Sequence, residues 1–141
     1  MPMEERKFIS NWGMALMFAA LAWLFTFLEA GLTLNLIANT TFWVHNYMIF
    51  AGVLTFIFAF VYMRSLEDYS WLGEGVAFAI VFVLVNLFLD YGILFFILGS
   101  PIFNLQSLVL YLAQFLLCIL ASFVVRKKYG ELLKFQGIKR F

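Results

Sequence analysis

Residues 71–98 read WLGEGVAFAIVFVLVNLFLDYGILFFIL, and this apolar stretch decides the fold class. A helix that crosses a bilayer needs about 20 largely apolar residues at a rise of about 1.5 Å each. Asp90 interrupts the stretch, and an ionisable side chain near the bilayer centre costs about 2.5–3.5 kcal/mol on insertion scales. The stretch therefore predicts a membrane helix whose carboxylate needs a partner, a proton or a polar cavity.

Three further stretches of the chain have the same character, at about residues 12–37, 43–63 and 105–125. Hydrophobic residues are 65% of the 141 residues and charged residues only 12%. Soluble domains are about half apolar and a quarter charged, so a soluble fold of this length could not hide so much apolar surface. We predict a single all-α integral membrane domain over residues 1–141.

The connections between the four predicted helices are short: ANTTF at 38–42, RSLEDYS at 64–70 and GSPIFN at 99–104. Short connections favour antiparallel neighbours. We therefore predict an up-down-up-down bundle of four transmembrane helices. The first apolar stretch is too long for the core of a secretory signal, so it is interpreted as a retained transmembrane helix.

Lysine and arginine fall on one side of this topology. Arg6 and Lys7 precede the first helix, Arg64 lies in the second connection, and the other basic residues follow the fourth helix. The positive-inside tendency places that side, with both termini, in the cytoplasm. The basic tail at 126–141 also carries apolar residues, and it is interpreted either as an amphipathic segment on the inner membrane surface or as a solvated terminus.

Glu29 interrupts the first apolar stretch as Asp90 interrupts the third. Both helices run outward, and each carboxylate lies about sixteen residues along its helix, so both are expected in the outer half of the bilayer. Polar residues at helical spacing accompany them on the same helices and on the fourth. The predicted intramembrane site comprises Glu29, Asp90, Asn86, Gln114, Thr26 and Thr33, with His45 and Gln106 at its outer mouth.

Three interpretations of the two carboxylates remain open. They could hydrogen-bond to Asn86, Gln114 or a threonine and fix helix packing. They could form an outward-facing site for protons, a cation or a polar headgroup. They could also meet a cationic residue of a partner subunit. His45 is most simply a surface hydrogen-bonding group, and nothing in the spacing of Glu29, Asp90 and His45 demands a metal.

Several function classes lack sequence support. Cys118 is the only cysteine, so the chain can form neither an internal disulfide nor a cysteine metal site of its own. No nucleophile elbow, metalloprotease motif, phosphate loop or dinucleotide fingerprint occurs, and no particular cofactor is indicated. The net charge of +1 argues neither for nor against nucleic-acid binding, but the basic residues lie in short flanks and do not form a folded patch, so nucleic-acid binding is disfavoured. An enzyme acting on a soluble substrate is therefore disfavoured.

The leading functional hypothesis is a small polytopic membrane protein that acts as a subunit or accessory factor of a larger membrane assembly. Its expected partners are the lipid bilayer and other membrane subunits or copies of itself. The first alternative is a homo-oligomeric transporter or channel that moves protons or cations through an outward-facing Glu29 and Asp90 site. The second is an intramembrane enzyme that acts on lipid or quinone with those carboxylates as acid or base.

Overall fold

A computed structural model of the chain describes residues 9–34, 40–66, 71–97, 99 and 105–135, and over these residues the fold is helical with no strand. Helix α1 spans Trp12–Leu34, α2 Thr40–Ser65, α3 Trp71–Leu89 and α4 Leu105–Phe135, and a π-helical segment at Asp90–Phe95 continues α3. All four helices are long and apolar enough to cross a membrane. The prediction of an all-α fold with four such helices is confirmed for the described residues.

The helix bounds differ from the sequence prediction at several ends. Helix α2 begins at Thr40, three residues early, and α4 continues to Phe135, ten residues beyond the predicted end. The sequence RKKYGELL is rich in good helix formers, and its single glycine costs only about 1 kcal/mol, which explains the continuation. Several predicted segments lie outside the described residues: helical residues 35–37 and 98, parts of all three connections at 38–39, 67–70 and 100–104, and the tail from 136.

The third predicted helix, 71–98, contains a change of helix type at its carboxylate. From Asp90 the backbone winds as a π-helix, and at its end the Phe96 N–H donates to the Tyr91 carbonyl five residues earlier, at 3.3 Å. Gly99 follows with φ of +67°, a left-handed conformation that glycine adopts without steric penalty. Wider turns of this kind are often found at functional sites, and here the wider turn begins at the buried Asp90.

The helices do not follow one another around the bundle in chain order; the order around the bundle is α1, α2, α4 and α3. The closely packed pairs are α1 with α2, α3 with α4, α1 with α3, and α2 with α4, so α2 and α3 lie on a diagonal. The sequence predicts α2 and α3 as antiparallel neighbours because the connection between them is short. Five residues between Ser65 and Trp71 reach about 17 Å, whereas the diagonal of a bundle with 8–10 Å spacing is about 13 Å, so the short connection does not force adjacency.

Small side chains line the helix contacts. Ala15, Ala19, Ala59 and Ala121 are fully buried, and such residues let helix backbones approach closely. Among the described glycines, Gly75 has the tightest surroundings, because an added Cβ atom would lie 2.9 Å from the Ser122 Cβ atom. Helices α3 and α4 can therefore pack this tightly only with glycine at that position.

Large apolar side chains cover the outside of the bundle. Phe88 is 77% exposed, Leu32 72% and Ile49 68%, and similar residues follow the outer faces of all four helices. The interior, by contrast, combines aromatic and small residues with buried polar groups. This distribution is the reverse of that of a soluble bundle, in which charged and polar side chains cover the outside.

The two ends of the bundle differ in charge. The C-terminal end of α2, the start of α3 and the later part of α4 meet at one end, as the contacts of Tyr62 with Glu74 and of Gly75 with Ser122 show. Arg64 and Arg126 lie at this end, which we call the basic end. No lysine or arginine occurs between Lys7 and Arg64 or between Arg64 and Arg126, so the opposite half of the bundle holds none on its helices.

Candidate functional site

Asp90 is a buried carboxylate at the end of α3, and two aromatic side chains donate hydrogen bonds to it. The Trp23 indole N–H of α1 donates to Asp90 Oδ1 at 2.6 Å, and the Tyr111 hydroxyl of α4 donates to Asp90 Oδ2. Asp90 and Trp23 are both less than 10% exposed. Each carboxylate oxygen thus has a neutral donor, and the group links three helices.

Glu29 is half-buried and is bonded less completely. The Asn46 side-chain amide of α2 donates to Glu29 Oε1 at 2.6 Å. Glu29 Oε2 is buried and accepts no hydrogen bond. An unsatisfied buried polar atom costs about 1–3 kcal/mol, and more when it is charged. A further hydrogen-bond donor, or a proton on Oε2, would remove this cost.

The two carboxylates belong to one polar cluster. The Tyr47 side chain of α2 lies within electrostatic range of Asp90, Glu29 and Tyr111. Every helix contributes. Trp23 lies at the middle of α1, and the other members lie farther from the basic end, toward the end of α1 and α3 and the start of α2 and α4. We call this set the Asp90 cluster; it comprises Trp23, Glu29, Asn46, Tyr47, Asp90 and Tyr111.

The other polar residues predicted on α1 and α3 bond within their own helices. The Thr26 hydroxyl donates to the Ala22 carbonyl at 2.7 Å, and the Thr33 hydroxyl donates to the Glu29 carbonyl at 2.8 Å. The Asn86 amide donates to the Phe82 carbonyl at 2.8 Å. The hydrogen bonds found for Thr26 and Asn86 thus go to backbone carbonyls rather than to the carboxylates, because a carbonyl one turn back is always in reach.

The remaining predicted site residues lie in different surroundings. Gln114 is buried in the bundle, and its Oε1 atom accepts no hydrogen bond. His45 is exposed near the start of α2, next to Asn46, and it has an interaction partner within the protein. Gln106 lies in the first turn of α4, and its side chain is outside the described part of the chain. Across the described residues, no three histidine, cysteine or acidic side chains come together in a way that could hold a metal.

Four members of the Asp90 cluster were not predicted from the sequence: Trp23, Asn46, Tyr47 and Tyr111. Trp23 offered one signal, since it lies in the middle of α1 and not at a helix end, where tryptophan anchors usually lie. A mid-helix indole N–H in an apolar region needs an acceptor, and Asp90 is the acceptor that the fold supplies.

A second buried carboxylate lies near the basic end. Glu74 is 7% exposed, and its Oε1 atom accepts hydrogen bonds from the Ser10 backbone N–H at 2.8 Å and from the Tyr62 hydroxyl at 2.7 Å. The Tyr62 hydroxyl oxygen in turn accepts from the Asn11 N–H at 3.2 Å. This Glu74 cluster ties the segment before α1 to α2 and α3. Asn11 also accepts the Met14 N–H at 3.0 Å, which caps α1.

Comparison of the chain with models of protein families, with curated proteins and with solved structures gave no match. The inference of function therefore depends on the Asp90 cluster and its surroundings.

Proposed function

We propose that the chain is a four-span integral membrane protein with both termini in the cytoplasm, and that it acts as a subunit or accessory factor of a larger membrane assembly. Membrane insertion is supported by the four apolar helices and by the large apolar side chains on their outer faces. Orientation is supported by the position of Arg64 and Arg126 at one end, which the positive-inside tendency assigns to the cytoplasm.

The incomplete bonding of Glu29 carries the proposal that a partner is involved. Its Oε2 atom is buried without a donor, whereas both oxygens of Asp90 have one. Ionisable residues in membrane helices are rare and usually pair with another group, so a carboxylate left half-bonded in an isolated chain fits an assembly in which another molecule completes it.

The interior packing favours a binding role over conduction through a single copy. Tyr62, Phe78 and Phe82 are fully buried between the Asp90 cluster and the basic end. Tyr62 and Phe78 stack with ring centroids 4.5 Å apart, and Phe78 and Phe82 lie 5.8 Å apart. These rings fill the path that a proton or cation would need to cross the bundle.

A transporter formed by several copies is the second candidate function. It is favoured by two carboxylates that both lie within electrostatic range of Tyr47, because intramembrane carboxylates often mark proton and cation pathways. In this case the path would lie between copies, since the interior of each bundle is filled.

The mass of the native complex distinguishes these candidates. We expect the protein, purified from its own membrane in mild detergent, to elute in a complex that contains unrelated polypeptides in addition to the 16.3 kDa chain. A lone homo-oligomer would contradict the subunit proposal. If that homo-oligomer also moved protons or cations across liposomes, and Glu29→Gln and Asp90→Asn abolished the flux, the transporter would be supported instead.

A further inference from the structure

We infer that the partner is a different polypeptide, and that it presents a transmembrane helix with a lysine or arginine to Glu29 at the α1–α2 edge of the bundle. This inference rests on the proposed subunit function and names the chemistry of the partner. It assigns Glu29 to partner binding.

The first step is the difference between the two carboxylates. Both oxygens of Asp90 accept a hydrogen bond, one from Trp23 and one from Tyr111. Glu29 has only the Asn46 amide on Oε1, which leaves Oε2 as an acceptor without a donor. Of the two groups, Glu29 is therefore the one that has a position for an additional hydrogen-bond donor.

The second step is the surface around Glu29. Phe25, Leu28 and Leu32 occupy neighbouring positions on α1 and are 44%, 49% and 72% exposed. Residues three and four apart lie side by side on a helix, so Glu29 adjoins Phe25 and Leu32. Glu29 itself is half-buried, so part of its side chain lies at the edge of this apolar surface, whereas its Oε2 atom is buried. A lysine or arginine on a helix that packs on the surface would lie beside Glu29, and rotation of the Glu29 side chain would bring Oε2 to it.

The third step is charge complementarity. A carboxylate in an apolar region is stabilised most by a cationic donor, because a charge-assisted hydrogen bond is roughly twice as strong as a neutral one. The chain has no lysine or arginine on α1, on α2 before Arg64, or on α3. Its basic residues are confined to the basic end and the terminal flanks, so a second copy aligned in the membrane cannot supply this cation at the depth of Glu29.

Synthetic transmembrane peptides provide a direct test. The probe is a labelled leucine-alanine peptide of 23 residues, the length of α1. It has one lysine five residues before its outer end, because Glu29 lies five residues before Leu34, the last residue of α1. The matched control peptide has leucine at that position. With the full-length protein in liposomes, energy transfer should show the lysine peptide binding about tenfold more tightly than the control, as expected for a strong interhelical polar contact.

The protein variants make the test specific. Glu29→Gln should abolish the preference for the lysine peptide, and Glu29→Asp should retain part of it. Gly31→Ala, on an exposed position where an added Cβ atom meets nothing within 4 Å, should leave it unchanged. The inference would be overturned by any of three results: equal binding of both peptides to the wild-type protein, a preference for the lysine peptide that persists in Glu29→Gln, or self-association of the protein that depends on Glu29.

The same variant separates this inference from the proposed function. If the native complex with other polypeptides forms equally well with Glu29→Gln, the subunit proposal stands and the role of Glu29 is wrong. If the wild-type protein purifies without other polypeptides but still prefers the lysine peptide in liposomes, the binding surface stands and the proposal of a resident assembly is wrong.

Discussion

Replacement of Asp90 by alanine is expected to destabilise the bundle by about 2–4 kcal/mol. The variant leaves the Trp23 indole N–H and the Tyr111 hydroxyl without their acceptor, and Trp23 is 8% exposed. Each unsatisfied buried donor costs about 1–3 kcal/mol. The lower part of the range is favoured because interhelical hydrogen bonds in membrane proteins average about 0.6 kcal/mol.

The opposing effect is the loss of a buried carboxylate, which by itself relieves a desolvation penalty. This relief does not compensate for the loss, because the Trp23 ring is buried and stacks on Phe27 with ring centroids 5.1 Å apart, so its N–H cannot turn to another acceptor. Thermal unfolding in detergent measures the effect. Asp90→Asn retains one acceptor oxygen and should lose about half as much stability. An alanine variant as stable as the wild type would show that these bonds do not hold the helices together.

Replacement of Glu74 by alanine is expected to release the segment before α1 and to lower stability by about 2–4 kcal/mol. Glu74 Oε1 is the shared acceptor of the Ser10 N–H and of the hydroxyl of the fully buried Tyr62. Without Glu74, the Tyr62 hydroxyl keeps only the Asn11 N–H as a partner. The Ser10 N–H loses its acceptor, so the bond that holds Ser10 next to the fully buried Ile9 is lost.

Limited proteolysis with thermal unfolding tests this expectation. The Glu74→Ala protein should be cut near residues 8–11 much faster than the wild type, since exposed terminal backbone is the preferred site of cleavage. Glu74→Gln keeps the Oε1 acceptor and should behave like the wild type within about 1 kcal/mol. Identical cleavage of the alanine variant and the wild type would contradict the role assigned to Glu74.

The sequence predicted the elements of the fold better than their arrangement. Length and apolarity are sufficient to find four helices that are long and apolar enough to cross a membrane, because a helix satisfies the backbone hydrogen bonds of such a stretch within the stretch itself. The diagonal placement of α2 and α3 could not be predicted, because a five-residue connection permits both adjacent and diagonal packing. The π-helical turn at Asp90 also could not be predicted, because no residue pattern in the sequence is specific for a π-helix.

For the candidate site, the carboxylates could be predicted but their partners could not. Glu29 and Asp90 stand out because each is an ionisable residue within an apolar run. Asn86 and Thr26 were expected to serve them as polar groups on neighbouring turns, yet their hydrogen bonds go to Phe82 and Ala22 carbonyls. The partners observed for Asp90 are aromatic, and whether such a ring turns inward depends on the rotation of each helix in the bundle.

The membrane orientation of the Asp90 cluster is the central claim, and cysteine labelling in intact cells tests it most directly. Ile97→Cys lies beyond the π-helical segment at a 72% exposed position, and Ser65→Cys lies at an exposed position at the basic end. The native Cys118 is fully buried and should remain unlabelled. A membrane-impermeant maleimide should label Ile97→Cys in intact cells and Ser65→Cys only after permeabilisation. Labelling of Ser65→Cys in intact cells, or of both positions, would contradict the orientation and with it the outward-facing cluster.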